Sequence, residues 1–207
     1  MIRLLLGTQN QGKIEEAMEL LSAIPGLELL TFADRPFSPV EETGETFLEN
    51  ALLKARSICH ETGLPVLSED AGLEVDTLDG APGVRSARFS GEPVDYQRNN
   101  ELLLDRLRGI EDRRARFVAV AALCLPDGQI FVTTGTLRGT VGVECIGTGG
   151  FGYDPLFIPA GEHRTLAQMD LLEKNKISHR NRGLSRMRLI LEALGREGEL
   201  KRVDQAE

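Results

Sequence analysis

The residues able to do chemistry lie in a handful of short runs. Gly7-Thr8-Gln9-Asn10-Gln11-Gly12-Lys13 fits the first seven positions of a G-x-x-x-x-G-K phosphate loop. The next position must offer a hydroxyl to Mg²⁺, and here it is Ile14, so the usual metal chemistry of that loop is excluded. What remains is a strand-to-helix turn with free backbone N–H groups at a helix N-terminus, to which Lys13 adds a full positive charge. That is an anion site, most economically a phosphate site. The plainer alternative is that Asn10 caps the helix and Lys13 is solvated. Glu41-Glu42 and Glu69-Asp70 form two acidic pairs, each read as lying at a turn. Glu69-Asp70 follows the third predicted strand and Thr8 the first, the strand ends at which open α/β sheets collect ligands. Carboxylates crowded beside an anion cradle repel it unless a cation joins them, and hard oxygen ligands next to phosphates suit Mg²⁺. Taken singly, either pair also reads as solvated turn acids. Lys54, one helical turn after Asn50, is placed to reach the same pocket or to stay in solvent.

Gly147-Thr148-Gly149-Gly150-Phe151-Gly152 satisfies G-x-G-x-x-G, yet it opens no helix, because Pro155 pushes Asp154 out of the helical region. Its content lies elsewhere. A flexible glycine run frames Phe151 and Tyr153 with Asp154 beside them, and an aromatic face plus a carboxylate acceptor can stack a base and fix its polar edge. A tight turn with its aromatics in the core is the other reading. Further on, Lys174, Lys176, His179, Arg180 and Arg182 crowd the start of a helix whose predicted N-cap is Ser178. Cations there oppose the helix dipole by a few tenths to ~1 kcal/mol each. The placement makes sense if an anion or an electron-rich carbonyl oxygen binds among them, and otherwise describes a solvated basic surface.

The elements that must position these groups follow from periodicity. Residues 2–6 read as a buried strand ended by Gly7. Ile14, Ala17, Met18 and Leu21 then mark one helical face, with Glu15, Glu16 and Glu19 outward. Residues 27–32 are a second strand. Thr46-Phe47-Leu48-Glu49 fits a capping box for a helix that stops at Gly63. Residues 65–67 are a third strand, and 73–76 alternate like a hairpin arm. Residues 95–108 form a helix, 116–125 and 129–137 an antiparallel hairpin about Pro126-Asp127-Gly128, and 156–158 a last strand before a helical region ending near Leu194. The pattern is α/β with a mixed sheet, one domain over 1–195 and a polar tail over 196–207.

Composition bounds the partners. The 207 residues carry 24 Lys and Arg against 32 Asp and Glu, a formal charge of −8 that disfavours a nucleic-acid backbone binder. With 41% apolar and 27% charged residues the chain is neither disordered nor a coiled coil. Its apolar runs fall far short of the roughly 20 residues that span a bilayer, and residues 1–7 lack the long apolar region of a signal peptide. Cys59, Cys124 and Cys145 form no Cys-x-x-Cys, so neither a disulfide framework nor a thiolate zinc site is expected, and a reducing cytoplasm is.

Read together, six ordered blocks resemble the Ham1/RdgB family of inosine/xanthosine triphosphate pyrophosphatases over about residues 2–194. They are Thr8-x-Asn10-x-x-Lys13; Glu41-Glu42-Thr43-Gly44 with Phe47-x-Glu49-Asn50-Ala51-x-x-Lys54-Ala55; Glu69-Asp70-x-Gly72-Leu73; Gly80-Ala81-Pro82-Gly83-Val84-x-Ser86-Ala87-Arg88; Gly149 to Pro155; and Glu173-Lys174-x-x-Ile177-Ser178-His179-Arg180. The resemblance implies an elongated α/β fold with a long central mixed sheet, two lobes with a nucleotide cleft between them, and a homodimer. It also implies Mg²⁺-dependent cleavage of ITP, dITP and XTP to monophosphate and pyrophosphate, with Mn²⁺ as another usable ion. On that basis Thr8, Gln9, Asn10, Gln11, Gly12 and Lys13 would hold the triphosphate. Asp70 would be acid-base residue and metal ligand, with Glu41 or Glu42 as the second metal carboxylate and Lys54 assisting near the phosphates. Phe151, Gly152, Tyr153 and Asp154 would line the base and sugar site, completed by Lys174, His179 and Arg180. The family often has Asp-Asp-Ser-Gly where this chain has Glu69-Asp70-Ala71-Gly72, so a substrate contact at Ala71 would come from its backbone N–H. Two alternatives stand beside this one: a Maf-type pyrophosphatase acting on pyrimidine or modified nucleotides, and a non-catalytic nucleotide sensor.

Overall fold

A computed structural model describes residues 2–197. The strands are β1 (Ile2–Leu6), β2 (Leu27–Leu30), β3 (Val66–Val75), β4 (Arg114–Cys124), β5 (Ile130–Val141) and β6 (Phe157–Pro159). The helices are α1 (Gln11–Leu21), α2 (Phe47–Thr62), α3 (Tyr96–Arg106), α4 (Leu171–Ile177) and α5 (His179–Glu197). The six strands form one mixed sheet in the order β2-β1-β3-β4-β5-β6. β1 runs parallel to β2 and β3, as strands joined through helices must, and β6 is antiparallel to β5. The α/β class expected from the sequence is the one found.

Two compact units share this sheet. The first takes Met1 to Asp70, Ala119–Gly135 and the chain from Asn181, and the second takes Ala71–Val118 and Thr136–Arg180. The first is built on Leu4, Leu6, Leu21, Leu67, Leu123, Met187 and Leu191. The second is built on Leu73, Leu103, Leu107, Phe117, Leu137, Leu156, Phe157 and Leu166.

Local chemistry sets the element ends. Asn10 caps α1 by accepting the Lys13 N–H at 3.1 Å. Thr46 and Glu49 close a reciprocal capping box on α2, and Gly63 ends that helix at φ 69°. Glycine is favoured at the end of β1, where a Cβ on Gly7 would lie 2.1 Å from the Ser68 Oγ of β3 and force that side chain to move.

Four expectations need correction. Glu69-Asp70 is not at a turn. It lies in the middle of a continuous ten-residue strand, with Glu69 and Asp70 8% and 5% exposed. A polar Ser-Glu-Asp run looks like strand punctuation until the cations that neutralise it, distant in sequence, are in place. On α1, Ile14, Ala17 and Leu21 meet the core as expected, but Leu20 joins them in place of Met18, a small rotation of the predicted stripe. Glu16 is therefore buried at 2%, and Met18 is exposed. Residues 171–177 already form a helix, α4, because Asp170 and Glu173 make a capping box of their own. Ser178 is thus the C-cap of α4 and at the same time stands directly before His179, the first residue of α5, the position expected of it. Of the predicted tail, residues 196 and 197 belong to α5 and the rest lies outside the described residues.

Candidate active site

In the first unit, four segments bring charge to one carbonyl. The β1–α1 turn supplies Lys13, whose Nζ donates to the Glu69 carbonyl at 3.2 Å and lies 3.7 Å from the Glu69 carboxylate. α2 supplies Lys54, whose Nζ donates to the same carbonyl at 3.0 Å, to Asp70 Oδ1 at 3.3 Å, and to Glu42 of the preceding loop. One turn earlier on α2, Asn50 donates to Asp70 Oδ2 at 3.3 Å and takes the Gly44 N–H at 2.8 Å, tying the acidic loop to the strand. Three carboxylates thus face two ammoniums. Burial raises the Asp70 carboxyl above the ordinary carboxylate range, opposed by Lys54 and Lys13 and reinforced by the Glu42 charge. A carboxylate of raised basicity, held by an amide and an ammonium, is equipped to take or orient a proton.

The second unit assembles a different set. The turn after β5 carries Phe151 with glycine on both sides. Its backbone N–H donates to Asp154 Oδ2 at 2.8 Å, and Lys174 of α4 donates to the same oxygen at 2.7 Å. Gly150 is obligatory, since at φ 70° a Cβ would stand 2.0 Å from that oxygen. Lys174 Nζ and the Arg180 guanidinium lie 4.9 and 5.5 Å from the Phe151 ring centroid, within cation–π range. Lys174, His179 and Arg180 are all nearly buried, and His179 stacks flat on Phe117 at 4.7 Å. The solvated basic surface is therefore not what these three form, whereas Lys176 and Arg182 are exposed. Tyr153 is core, its hydroxyl donating to the Ser86 carbonyl at 2.9 Å.

The family model that matches, described as the Ham1 family, spans residues 4–190. The chain belongs to the Ham1 family. A dITP/XTP pyrophosphatase of Geobacter sulfurreducens is 45% identical over 201 residues, covering 96% of this chain and 99% of the relative. One from Streptomyces coelicolor is 50% identical over 186 residues, covering 88% and 93%. Among solved structures, the Staphylococcus aureus Ham1 protein superposes with a TM-score of 0.84 at 36% identity, covering 92% of this chain and 98% of that one.

The Ham1 blocks sort by unit. Thr8, Gln9, Asn10, Gln11, Gly12, Lys13, Glu41, Glu42, Lys54 and Asp70 fall in the first, and Ala71, Phe151, Gly152, Tyr153, Asp154, Lys174, His179 and Arg180 in the second. Thr8 Oγ1 accepts the Asn10 N–H at 3.2 Å, shaping the turn, whereas Gln11 bonds Glu15 at an exposed position. Of the acidic pair in the loop, Glu42 meets Lys54 and Glu41 is exposed. Sequence reasoning gave no role to Tyr96, Asn100 or Phe117, which contact Phe151, Gly152 and His179 respectively. The only signal for the first two was their i, i+4 spacing on α3. Among the described residues no three His, Cys, Asp or Glu side chains gather as a metal cage. Asp70 and Glu42 nevertheless converge on a single cation, the Lys54 ammonium. One or two carboxylates with substrate phosphates and water is the usual protein share of a Mg²⁺ site, so the residues fit the ion.

Proposed function

We propose that this protein hydrolyses dITP, ITP and XTP to the monophosphate and pyrophosphate, removing aberrant purines from the nucleotide pool. The observation that carries the reading is the buried, basic Asp70 carboxylate beside Lys13 and Lys54, in a chain whose relatives are named for this activity. In this reading Asp70 orients and deprotonates the water that attacks the α-phosphorus. Lys13 and the N–H groups of the β1–α1 turn receive the pyrophosphate leaving group. Lys54 holds Asp70 and Glu42 in place through its ammonium. Asp70 and Glu42 would also hold Mg²⁺, or Mn²⁺, which when bound neutralises charge on the phosphates.

The base falls to the second set of residues. The Phe151 face stacks the purine, and donors from Arg180, His179 or nearby backbone N–H groups satisfy the 6-carbonyl of hypoxanthine or xanthine. Adenine presents an amino donor at that position, and a buried donor facing a donor costs ~1–3 kcal/mol, so two such mismatches discriminate by about 10²-fold or more. The protein acts as a homodimer in the cytoplasm, as the family resemblance implies. No described helix is long and apolar enough to cross a membrane.

The test is pyrophosphate release with Mg²⁺ and, separately, EDTA, across dITP, XTP, dGTP, dATP and dUTP. Preference for dITP and XTP, lost in EDTA, is expected. Preference for dUTP, or binding without turnover, would replace this reading with one of the two alternatives.

A further inference from the structure

Phe151 is held from two sides. On one, Asp154 and Lys174 fix its backbone N–H. On the other flank, α3 presents Tyr96 and Asn100, one turn apart and so on one face. The Tyr96 ring meets the Phe151 ring at 6.2 Å between centroids, tilted by 46°. Asn100 is 5% exposed and its Nδ2 donates to the carbonyl of Gly152, the next residue, at 3.0 Å. Gly152 sits at φ 64°, and the Asn100 bond pins its carbonyl at the exit of the turn, alongside the Asp154 N–H to Phe151 carbonyl bond at 3.3 Å and the buried Tyr153, while Asp154 Oδ2 holds the entry.

The geometry of Asn100 is costly in a telling way. Its Oδ1 is buried and has no hydrogen-bond partner among the described residues. A buried amide with one end unsatisfied gives up much of the stability that its one bond to Gly152 supplies, so stability alone is a weak reason for asparagine there. Neighbouring Asn99, by contrast, uses both ends, accepting the Ser90 N–H at 2.7 Å and donating to the Ala87 carbonyl at 2.9 Å. What Asn100 supplies is one directed donor to the loop that carries the aromatic face.

We propose that Asn100 is a positioning residue for purine recognition: it anchors Gly152 so that Phe151, supported by Tyr96, is pre-oriented for the base. This rests on the function proposed above. The chemistry at Asp70 does not pass through it, so its loss falls on base affinity and base discrimination.

The test compares Asn100→Leu and Asn100→Asp with wild type. Asn100→Leu removes the donor together with the orphan acceptor. Leucine is bulkier by its two methyls and leaves the Gly152 carbonyl without this donor, so the variant's melting temperature should fall by a few degrees, while KM for dITP rises about tenfold, kcat stays within about threefold, and the dITP-to-dATP preference narrows. Asn100→Asp keeps the shape but loses the donor, and should show the same KM change with a lower melting temperature. Amide hydrogen exchange of residues 149–152 in ligand-free protein should quicken in both variants. Unchanged exchange there overturns the anchoring. Parallel loss of kcat and melting temperature in Asn100→Leu, with KM unmoved, makes Asn100 structural and overturns the proposal. If wild type turns over none of the nucleotides, the proposed function fails instead, and the exchange measurement still judges the anchor.

Discussion

Replacing Asp70 by asparagine removes one negative charge from a cluster in which Glu42, Glu69 and Asp70 face Lys13 and Lys54. The amide keeps the carboxylate's shape, and its Oδ1 can still accept from Lys54 or Asn50, which stand 3.3 Å from the present oxygens. The variant therefore balances two charges against two. Burial raises the Asp70 carboxyl in the fold, so the folded protein holds its proton more tightly than the unfolded chain does. For a group raised in this way, the stabilising contribution is complete below the unfolded carboxylate value near 4. It is lost as pH climbs through the raised folded value. At neutral pH the ionised Asp70 is thus a net cost to stability, of ~1.4 kcal/mol for every tenfold gain in the proton affinity of its carboxylate on folding. A gain of 1 kcal/mol moves the melting temperature of a chain this long by roughly 2–4 °C. In EDTA at pH 7.5, Asp70→Asn should melt a few degrees above wild type, and the gap should close as pH falls below about 4. Pyrophosphate release should meanwhile fall by ~10²–10⁴-fold, the usual contribution of a positioned general base. A variant that melts lower at neutral pH, or whose advantage ignores pH, would refute the electrostatic argument. Turnover above a tenth of wild type would remove Asp70 from the chemistry.

Lys54→Met should act in the opposite direction, since it leaves the Glu42 and Asp70 carboxylates without their shared ammonium. Breaking a fully buried pair costs roughly 3–5 kcal/mol, and less is expected here because Glu42 is a quarter exposed. In a double-mutant cycle by calorimetry, Asp70→Asn should recover part of that loss. Gly150→Ala forces a left-handed residue against Asp154, so KM for dITP should rise with a stability loss of roughly 1–3 kcal/mol, read by steady-state kinetics and thermal melting. Among the thiols, burial pushes Cys59 up to about 12 with help from neighbouring Cys124, whereas Cys145 is exposed. A disulfide-exchange reagent at pH 8 should therefore titrate one thiol quickly in the native protein and all three after denaturation.

What could be read from the sequence divides along a physical line. Elements whose ends are set by local chemistry were legible. Thr46 with Glu49 and Gly63 bracket α2, Asp95 caps α3, and Pro126-Asp127-Gly128 joins β4 to β5, each within a few residues. The same holds for the β1–α1 turn, where Asn10 does cap α1 while Lys13, against the plainer expectation, reaches Glu69 rather than solvent. Capping and charge delivery proved compatible, because they use different ends of the same turn. Illegible were the features that depend on partners far along the chain. Glu69-Asp70 reads as a turn because two adjacent acids in mid-strand are unfavourable, and it takes Lys13 and Lys54, 56 and 15 residues from Glu69, with Asn50 on Asp70, to make them tolerable.

The burial of Lys174, His179 and Arg180 was hidden for the same reason. Cations near a helix start suggest solvent or a bound anion, and nothing within ten residues announces Asp154 or the rings of Phe151 and Phe117 that receive them. Both failures fall on charged residues, and both are resolved by long-range pairing. A buried ion pair adds little stability over an apolar pair of equal volume, so stability alone does not account for charges in these places. Asn100 fits the same pattern with a neutral group. One end of its amide has no partner among the described residues, and what the asparagine adds is a directed hydrogen bond to the turn beside Phe151. In this chain the residues that resist explanation by local preference are the ones to which the chemistry can be assigned, because a side chain kept against its local preference needs some other reason to be there.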